Sequence, residues 1–370
     1  MTGKKHIAII TNGGVYSGYR AEGTPALTNL LRELAKEYKL TVFSLTSAKP
    51  DVAPFKLIPV KGRGYLKYWD LYLRLKTAHR ENPISLIHGY FGWPAGFLAV
   101  FFSKIFSIPS IQTLMGGESA DFPEINFGLL GNPLLKRLVF WSIKKASVTV
   151  VLSRYQLNSL ASHGLKPSQS IKVIPFGVPL KDVSKKVGVK LTYQLVSVGN
   201  INLIKNHKMM IKALKTLNKR MEVHLTIVGG DYLDSQIQNF VQAEGMSDYV
   251  TFTGQVSNEM AVAHIAAADG LVIASYSESL SVVFVEAMSV GTPVCSTPVG
   301  LMKDLADTHC LVCDIDDHEQ MSDQLQRLLT NDELKERLIR NGKAWAGSHD
   351  ADYTLTEYTL LYDQLMPTHP

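Results

Sequence analysis

Along most of this chain, short apolar runs alternate with segments whose apolar residues recur every three or four positions. In the first half the runs are "HIAIIT" (6–11), "LTVFSL" (40–45), "ISLIHG" (84–89), "PSIQTL" (109–114), "SVTVVL" (147–152) and "IKVIPF" (171–176). They are continuous and rich in β-branched residues, as strands covered on both faces are. Between the first two lies "GTPALTNLLRELAKEY", where Thr24 can cap a helix and Pro25 fits its first turn. Leu27, Leu30, Leu31, Leu34 and Tyr38 then mark one helical face. Strand, helix, strand, repeated, predicts an α/β protein with a parallel sheet and right-handed crossovers.

The periodicity lapses over "VPLKDVSKKVGVK" (178–190), where lysines accumulate, and 181–190 reads as a linker. The alternation then restarts with strands at 193–199, 222–230, 249–254 and 270–275, separated by helices over 207–219, 233–245 and 258–268. At 370 residues the chain exceeds the size at which a single core stops growing, roughly 250–300 residues. The prediction is two tandem doubly wound, Rossmann-like domains, 1–180 and 191–350. The stretch 351–370 would be a C-terminal helix able to cross back to the first domain. Such sheets bind ligands beyond the carboxyl ends of their strands, and two of them facing each other would enclose a cleft.

Composition narrows the class. With 46% hydrophobic and 19% charged residues the chain reads as globular. The longest apolar stretch, "FGWPAGFLAVFF" (91–102), falls short of the roughly 20 residues a spanning helix needs. The start, "MTGKKHIAII", has no apolar segment of the signal-peptide kind. Three cysteines, Cys295, Cys310 and Cys313, are too few for a disulfide framework and fit a reducing cytoplasm. Cys310 and Cys313 form a C-x-x-C without a second pair, which favours plain core cysteines over a zinc site. The net charge of +5 hides an asymmetry. Residues 1–180 hold 22 Lys+Arg against 9 Asp+Glu, and residues 181–370 hold 16 against 24. The basic half is expected to meet something anionic.

Chemistry is concentrated after two strands of the second half. In "SVGNINLIKNHKMMIKAL" (197–214), Gly199 permits a tight turn and Lys205 lies just before a helix, a reasonable clamp for phosphate. In "SYSESLSVVFVEAMSVGTPV" (275–294), Glu278 falls in the loop after a strand and Ser279 to Val282 begin a helix. Glu286 lies further along that helix, and Gly291 ends it. "SVVFVE" also has strand propensity, and only the Gly-Thr-Pro break and the next strand, "TPVCST", argue against a hairpin. Two carboxylates framing a helix N-terminus can bind sugar hydroxyls while the free amides bind phosphate.

"ESLSVVFVEAMSVGTPV" resembles the E-x7-E signature of retaining glycosyltransferases of family 4, which have the GT-B fold. The likeness extends through "AEGTPALTNLLRELA", "VVLSRYQ", "VIPFGV", "VGNINLIKNH", "TFTGQVSNEM" and "AAADGLVIASYSESLS" in order along the chain. The resemblance implies that Glu286 holds the ribose hydroxyls of a nucleotide sugar and Glu278 contacts the donor sugar. It implies that Leu280, Ser281 and Val282 offer amides to the phosphate end and that Lys205 binds the diphosphate. Gly23, or alternatively Gly14, would match the glycine loop near the diphosphate, and Gly254 to Val256 would lie near the base. Two positions depart from the family. Asn200 stands where an arginine is usual, and Met115 stands where a histidine is common, with Glu118 where an acid is common. Asparagine donates a hydrogen bond without charge, and methionine does no acid–base work. His88, near the end of "ISLIHG", is a candidate on the acceptor side together with Glu118.

"DIDD" (314–317) contains D-x-D, but Asp316 with Glu319 reads as a capping box, and no catalytic metal or other cofactor is expected. "KGRGYLKYWDLYLRLKTAHR" (61–80) and "NPLLKRLVFWSIKK" (132–145) mix basic and aromatic residues. They suit either core helices or peripheral contact with an anionic membrane at the cytoplasmic face, as a lipid-linked acceptor would require. No nucleic-acid module is visible. The expected activity is transfer of a hexose from a UDP- or GDP-linked sugar to a hydroxyl acceptor in surface polysaccharide, lipopolysaccharide or glycolipid assembly. A nucleotide-sugar epimerase and a sugar-nucleotide-binding protein without turnover are the alternatives.

Overall fold

The alternation of strand and helix is realised twice. The computed structural model describes residues 4–17, 24–166, 168–180 and 192–366. The 181–190 linker and Gly23 lie outside them. Two units are formed. The first comprises the chain up to Pro123, Phe127–Pro175 and the stretch from Ala351 on; the second comprises Glu124–Asn126 and Phe176–Asp350.

The first unit contains β1 (His6–Thr11), α1 (Pro25–Glu37), β2 (Lys39–Ser44), β3 (Lys56–Pro59), α2 (Tyr65–Glu81), β4 (Ile84–Tyr90), α3 (Phe97–Phe106) and β5 (Ser110–Thr113). A small hairpin of β6 (Asp121–Phe122) and β7 (Phe127–Gly128) follows. Then come α4 (Pro133–Lys145), β8 (Val148–Val151), α5 (Arg154–Ser162) and β9 (Ile171–Val173). Among the described residues the sheet has seven parallel strands in the order β3-β2-β1-β4-β5-β8-β9.

The second unit contains β10 (Tyr193–Val198), α6 (His207–Asn218), β11 (Val223–Val228), α7 (Gln236–Ala243), β12 (Val250–Gly254), α8 (Asn258–Ala267) and β13 (Gly270–Ile273). It continues with α9 (Val282–Val290), β14 (Val294–Ser296), α10 (Leu301–Asp304), β15 (Leu311–Val312), α11 (His318–Thr330) and α12 (Asp332–Ser348). Among the described residues its six strands run in parallel in the order β12-β11-β10-β13-β14-β15. Counted within the unit, that is the doubly wound order 3-2-1-4-5-6, in which the direction of strand addition reverses between the first and fourth strands.

Helix boundaries follow local chemistry. Asn132, Ser153, Ser257 and Asn331 each accept a first-turn N–H as the cap of α4, α5, α8 and α12. Thr24 stands at the cap position of α1 but makes no side-chain capping bond. Its own N–H instead donates to Gly14 O at 2.7 Å. Within 275–294, Val282–Val290 forms a helix and the stretch is not a hairpin. Phe284, Val285, Glu286, Ala287 and Met288 are all buried on α9, which packs against both α8 and α12. A helix enclosed on several sides is apolar around its circumference, and that burial outweighs the β-propensity of its valines. Gly291 ends it at φ 71°, as expected. β3, absent from the expected strands, is a four-residue edge strand with one buried side chain, Leu57, and a proline at its end.

All three cysteines are buried and free, and burial pushes the Cys310 thiol up to about 12. α13 (Ala351–Leu365) belongs to the first unit and packs on α1. Its Tyr358 and Tyr362 are fully buried. They explain His88, which the sequence offered as an acceptor-side residue. His88 is 0% exposed, with Nδ1 2.7 Å from the Tyr362 hydroxyl and Nε2 2.9 Å from Thr113 Oγ1. β4 is covered on both faces, so a residue within it, such as His88, lies in the core whichever face it is on. The side chain expected on the acceptor side is thus held inside the first unit by Tyr362 and Thr113.

Burial lowers the His88 pKa to about 3. The unfolded chain therefore binds a proton that the folded chain refuses between about pH 6.5 and about pH 3. The stability is fully present above pH 6.5 and falls with acidification by up to about 1.4 kcal/mol per pH unit. Thermal unfolding of wild type and His88→Gln at pH 7.5 and pH 5 tests this. The variant should be the less stable at pH 7.5, and the gap should narrow at pH 5; a gap independent of pH contradicts it.

Candidate functional site

In the second unit the strand order reverses between β10 and β13, and the loops after these two strands carry Lys205 and Glu278. After β10 the chain passes Gly199 and Asn200 into a 3-10 turn, Leu203–Lys205, in which Asn202 Oδ1 accepts the Lys205 N–H at 3.2 Å. A Cβ on Gly199 would sit 3.0 Å from Lys205 Cε, so glycine lets the lysine stem fold back over the strand end. After β13, the Tyr276 N–H donates to Ile204 O at 2.8 Å, joining the two loops through their backbones.

Lys205 Nζ donates to Glu278 Oε1 at 2.5 Å, and the Ser275 hydroxyl donates to the same oxygen at 2.9 Å. The two side chains keep 23% and 15% of their surface exposed, so the pair is neither dry nor freely solvated. Coulomb attraction is then stronger than at an open surface, while the remaining ammonium N–H groups stay available. Thr297 Oγ1 supports the arrangement by donating to Ser275 O at 2.6 Å.

Helix α9 starts at Val282, with Ser279 to Ser281 in the turn before it rather than in its first turn as expected. Ser281 occupies the cap position at φ 64° without a side-chain capping bond. The first-turn amides of α9 thus follow directly on the Glu278 loop, carrying the positive end of the helix dipole. Leu280 is anchored by its buried side chain, 2% exposed. Gly300 closes the back of this turn. Its φ is 58°, and a Cβ there would lie 3.0 Å from Glu278 O, so a side chain would push the loop aside.

Glu286, one turn into α9, is 7% exposed and accepts a hydrogen bond from Asn258 Nδ2 at 2.7 Å. Asn258 opens α8, directly behind the Gly254–Val256 loop. That loop borders the end of β10, since a Cβ on Gly230 would lie 3.0 Å from Gln255 Oε1 and 3.7 Å from Asn200 Oδ1. The second unit therefore gathers Lys205, Glu278, the start of α9, Glu286 and Asn200 around the carboxyl ends of β10, β11 and β13.

Three features escaped the sequence reading. Ser275 and Asn258 hold the two glutamates, and nothing but their position after a strand and at a helix start signals it. The third is Asp316. The cap of α11 is Asp317, whose side chain accepts the Gln320 N–H at 2.8 Å. Asp316 stands at φ 64° and accepts from Asn206 Nδ2 at 2.8 Å and the Tyr276 hydroxyl at 2.9 Å. The expected Asp316–Glu319 capping box is corrected accordingly, and Glu319 accepts instead from Thr216. Among the described residues, no three or more His, Cys, Asp or Glu side chains are grouped as metal ligands.

In the first unit, Glu118 is 5% exposed, and its Oε1 accepts the N–H groups of Gly92 at 2.7 Å and Met115 at 2.5 Å. Burial pushes its carboxyl up, against the pull of these backbone donors. It pins the loops after β4 and β5 to each other, so the acid expected on the acceptor side is engaged by backbone donors of its own unit. Met115 lies on one of those loops. Gly14, at φ 76°, lies against Thr24 just before α1.

Residues 182–345 match the family model "Glycosyl transferases group 1", and residues 26–182 match "Glycosyltransferase Family 4". A D-inositol 3-phosphate glycosyltransferase of Paenarthrobacter aurescens is 25% identical over 314 residues, covering 77% of this chain and 75% of its own. Among solved structures, sucrose-phosphate synthase from Thermosynechococcus elongatus superposes with a TM-score of 0.84 at 18% identity, covering 98% of this chain and 99% of that one. Anabaena HepE in complex with UDP and glucose superposes with a TM-score of 0.78 at 17% identity, covering 98% and 100%. Two parallel α/β units with this topology give the GT-B fold, and the two family models make the chain a glycosyltransferase, an enzyme that transfers sugar. The chain belongs to glycosyltransferase family 4.

Proposed function

We propose that the chain is a retaining hexosyltransferase that uses a UDP- or GDP-linked sugar and delivers the hexose to a hydroxyl acceptor in surface polysaccharide or glycolipid assembly. The observation that carries this reading is the Lys205–Glu278 contact at the reversal point of the second sheet, with Glu286 on the helix that follows. The solved relative bound to UDP and glucose supports a nucleotide-sugar donor. Membership in a glycosyltransferase family favours transfer over epimerisation and over binding without turnover.

In this reading Lys205 keeps one N–H on Glu278 and turns the others to the diphosphate. The first-turn amides of α9 share its charge. Glu278 accepts from the sugar hydroxyls and Glu286 from the ribose hydroxyls. The sugar–phosphate bond breaks as the acceptor oxygen bonds to the anomeric carbon from the same face. The departing phosphate oxygen takes the acceptor's proton, so no protein nucleophile or metal is invoked. Stabilising the departing diphosphate is the main catalytic task, and one such donor is worth roughly 10²–10³ in rate. Asn200 keeps a hydrogen-bond donor where the family's arginine would add charge.

The first unit supports contact with an anionic membrane. On α2, Tyr65, Leu66 and Trp69 are 80%, 56% and 60% exposed, while Leu71, Leu75 and Ala78 face the core. Ring contacts from Tyr72 to Phe102 and from Phe97 to Trp141 join α2, α3 and α4. On α4, Lys136, Arg137 and Lys144 line a depression of about 450 Å³ beside Phe140 and Trp141. Aromatic rings with adjacent cations suit the interface of an anionic bilayer. Among the described residues no helix is long and apolar enough to cross a membrane.

Two experiments test these readings. In a thermal-shift panel of nucleotide sugars, a UDP- or GDP-linked sugar should stabilise wild type more than Glu286→Ala. Lys205→Ala should lower turnover by roughly 10²-fold or more with the product anomer of wild type retained by NMR. No stabilisation of wild type, or an inverted product, overturns the reading. For the membrane, vesicles rich in phosphatidylglycerol should pellet wild type at low salt. They should pellet a Tyr65→Ser/Trp69→Ser variant less; equal pelleting of the two contradicts the assignment.

A further inference from the structure

The Glu286 carboxylate is almost fully buried on α9, and its contact with Asn258 comes from a different helix. Asn258 is the first residue of α8, after the Ser257 cap, whose Oγ accepts the Met260 N–H at 3.2 Å. At that position a carboxylate would be favoured by the helix dipole, and Glu259 shows that the first turn does carry an acid. An aspartate at 258 would nevertheless confront Glu286 with a like charge in a poorly solvated place. An amide does the opposite. It brings an N–H to the carboxylate, fixes which oxygen is engaged, and ties the orientation of Glu286 to the start of α8.

We propose that Asn258 is a positioning residue that aims the Glu286 carboxylate for ribose recognition, coupling the Gly254–Val256 loop to the helix that carries the acid. This rests on the assignment of Glu286 to ribose made above. Asn258 acts only through Glu286. Losing it therefore weakens ligands that have both ribose hydroxyls and spares those that already lack one. A charge-assisted hydrogen bond of this kind is worth about tenfold or more in affinity.

Calorimetric titration of UDP, GDP and their 2′-deoxy forms into wild type, Asn258→Ala, Asn258→Asp, Glu286→Ala and the double alanine variant tests the coupling. Wild type should prefer the ribonucleotide. Asn258→Ala should lose about tenfold for it with little change for the deoxy form, and Asn258→Asp should lose more. The double variant should bind no more weakly than Glu286→Ala alone. If Glu286→Ala loses the preference and Asn258→Ala keeps it, the positioning role is overturned while the ribose assignment stands. Equal weakening of ribo and deoxy forms by Asn258→Ala also overturns it, in favour of a general structural role. If wild type has no preference for the ribonucleotide, or Glu286→Ala leaves the preference intact, the ribose assignment fails and takes the proposal with it.

Discussion

The ion pair between Lys205 and Glu278 is the contact on which the site depends. It forms because the doubly wound order places β10 beside β13 and sends their following helices to opposite faces. The two loops then leave adjacent strand ends with nothing between them, and each contributes one charge. Other contacts confine that pair. Ser275 and Thr297 hold the glutamate from below, Gly300 lets its backbone lie close, and Asp316 ties Tyr276 to Asn206. The helix dipole of α9 adds positive potential beside the carboxylate, so the site combines a cation, oriented amides and two acids. That mixture suits a ligand with an anionic middle and hydroxyl-bearing ends.

The two units use the same topology differently. In the second, the side chains at the strand ends keep some exposure and charge. In the first, the corresponding loops are tied by their own groups. Asn12 bonds Trp93 O and the Ala95 N–H, and Glu118 bonds the loops after β4 and β5. His88 is consumed by Tyr362 and Thr113. A buried polar group is costly unless paired, and these pairings fix loop shape.

Most of the architecture was legible because parallel strands covered on both faces leave continuous apolar runs, and those runs were within a residue or two of β1, β2, β4, β5, β8 and β10 to β14. That Lys205 and Glu278 lie in loops after strands and Glu286 on a helix was legible from the order of apolar runs around them. What could not be read depends on φ angles and side-chain aim. Thr24 and Asp316 have capping chemistry but not capping contacts, and the role falls one residue later at Asp317. His88 and Glu118 have reactive chemistry but point inward, a choice set by α13 and by the β4 and β5 loops, which are remote in sequence. Asn258 carried no signal, because its partner lies 28 residues away.

The central claim is that Lys205, paired with Glu278, forms the seat of a donor diphosphate. Amine acylation read by mass spectrometry measures it directly. Lys205 should lose reactivity when UDP or GDP binds and regain it when the nucleotide is removed, while the exposed Lys215 stays unchanged. Binding of nucleotide that leaves Lys205 as reactive as in the free protein would contradict the account.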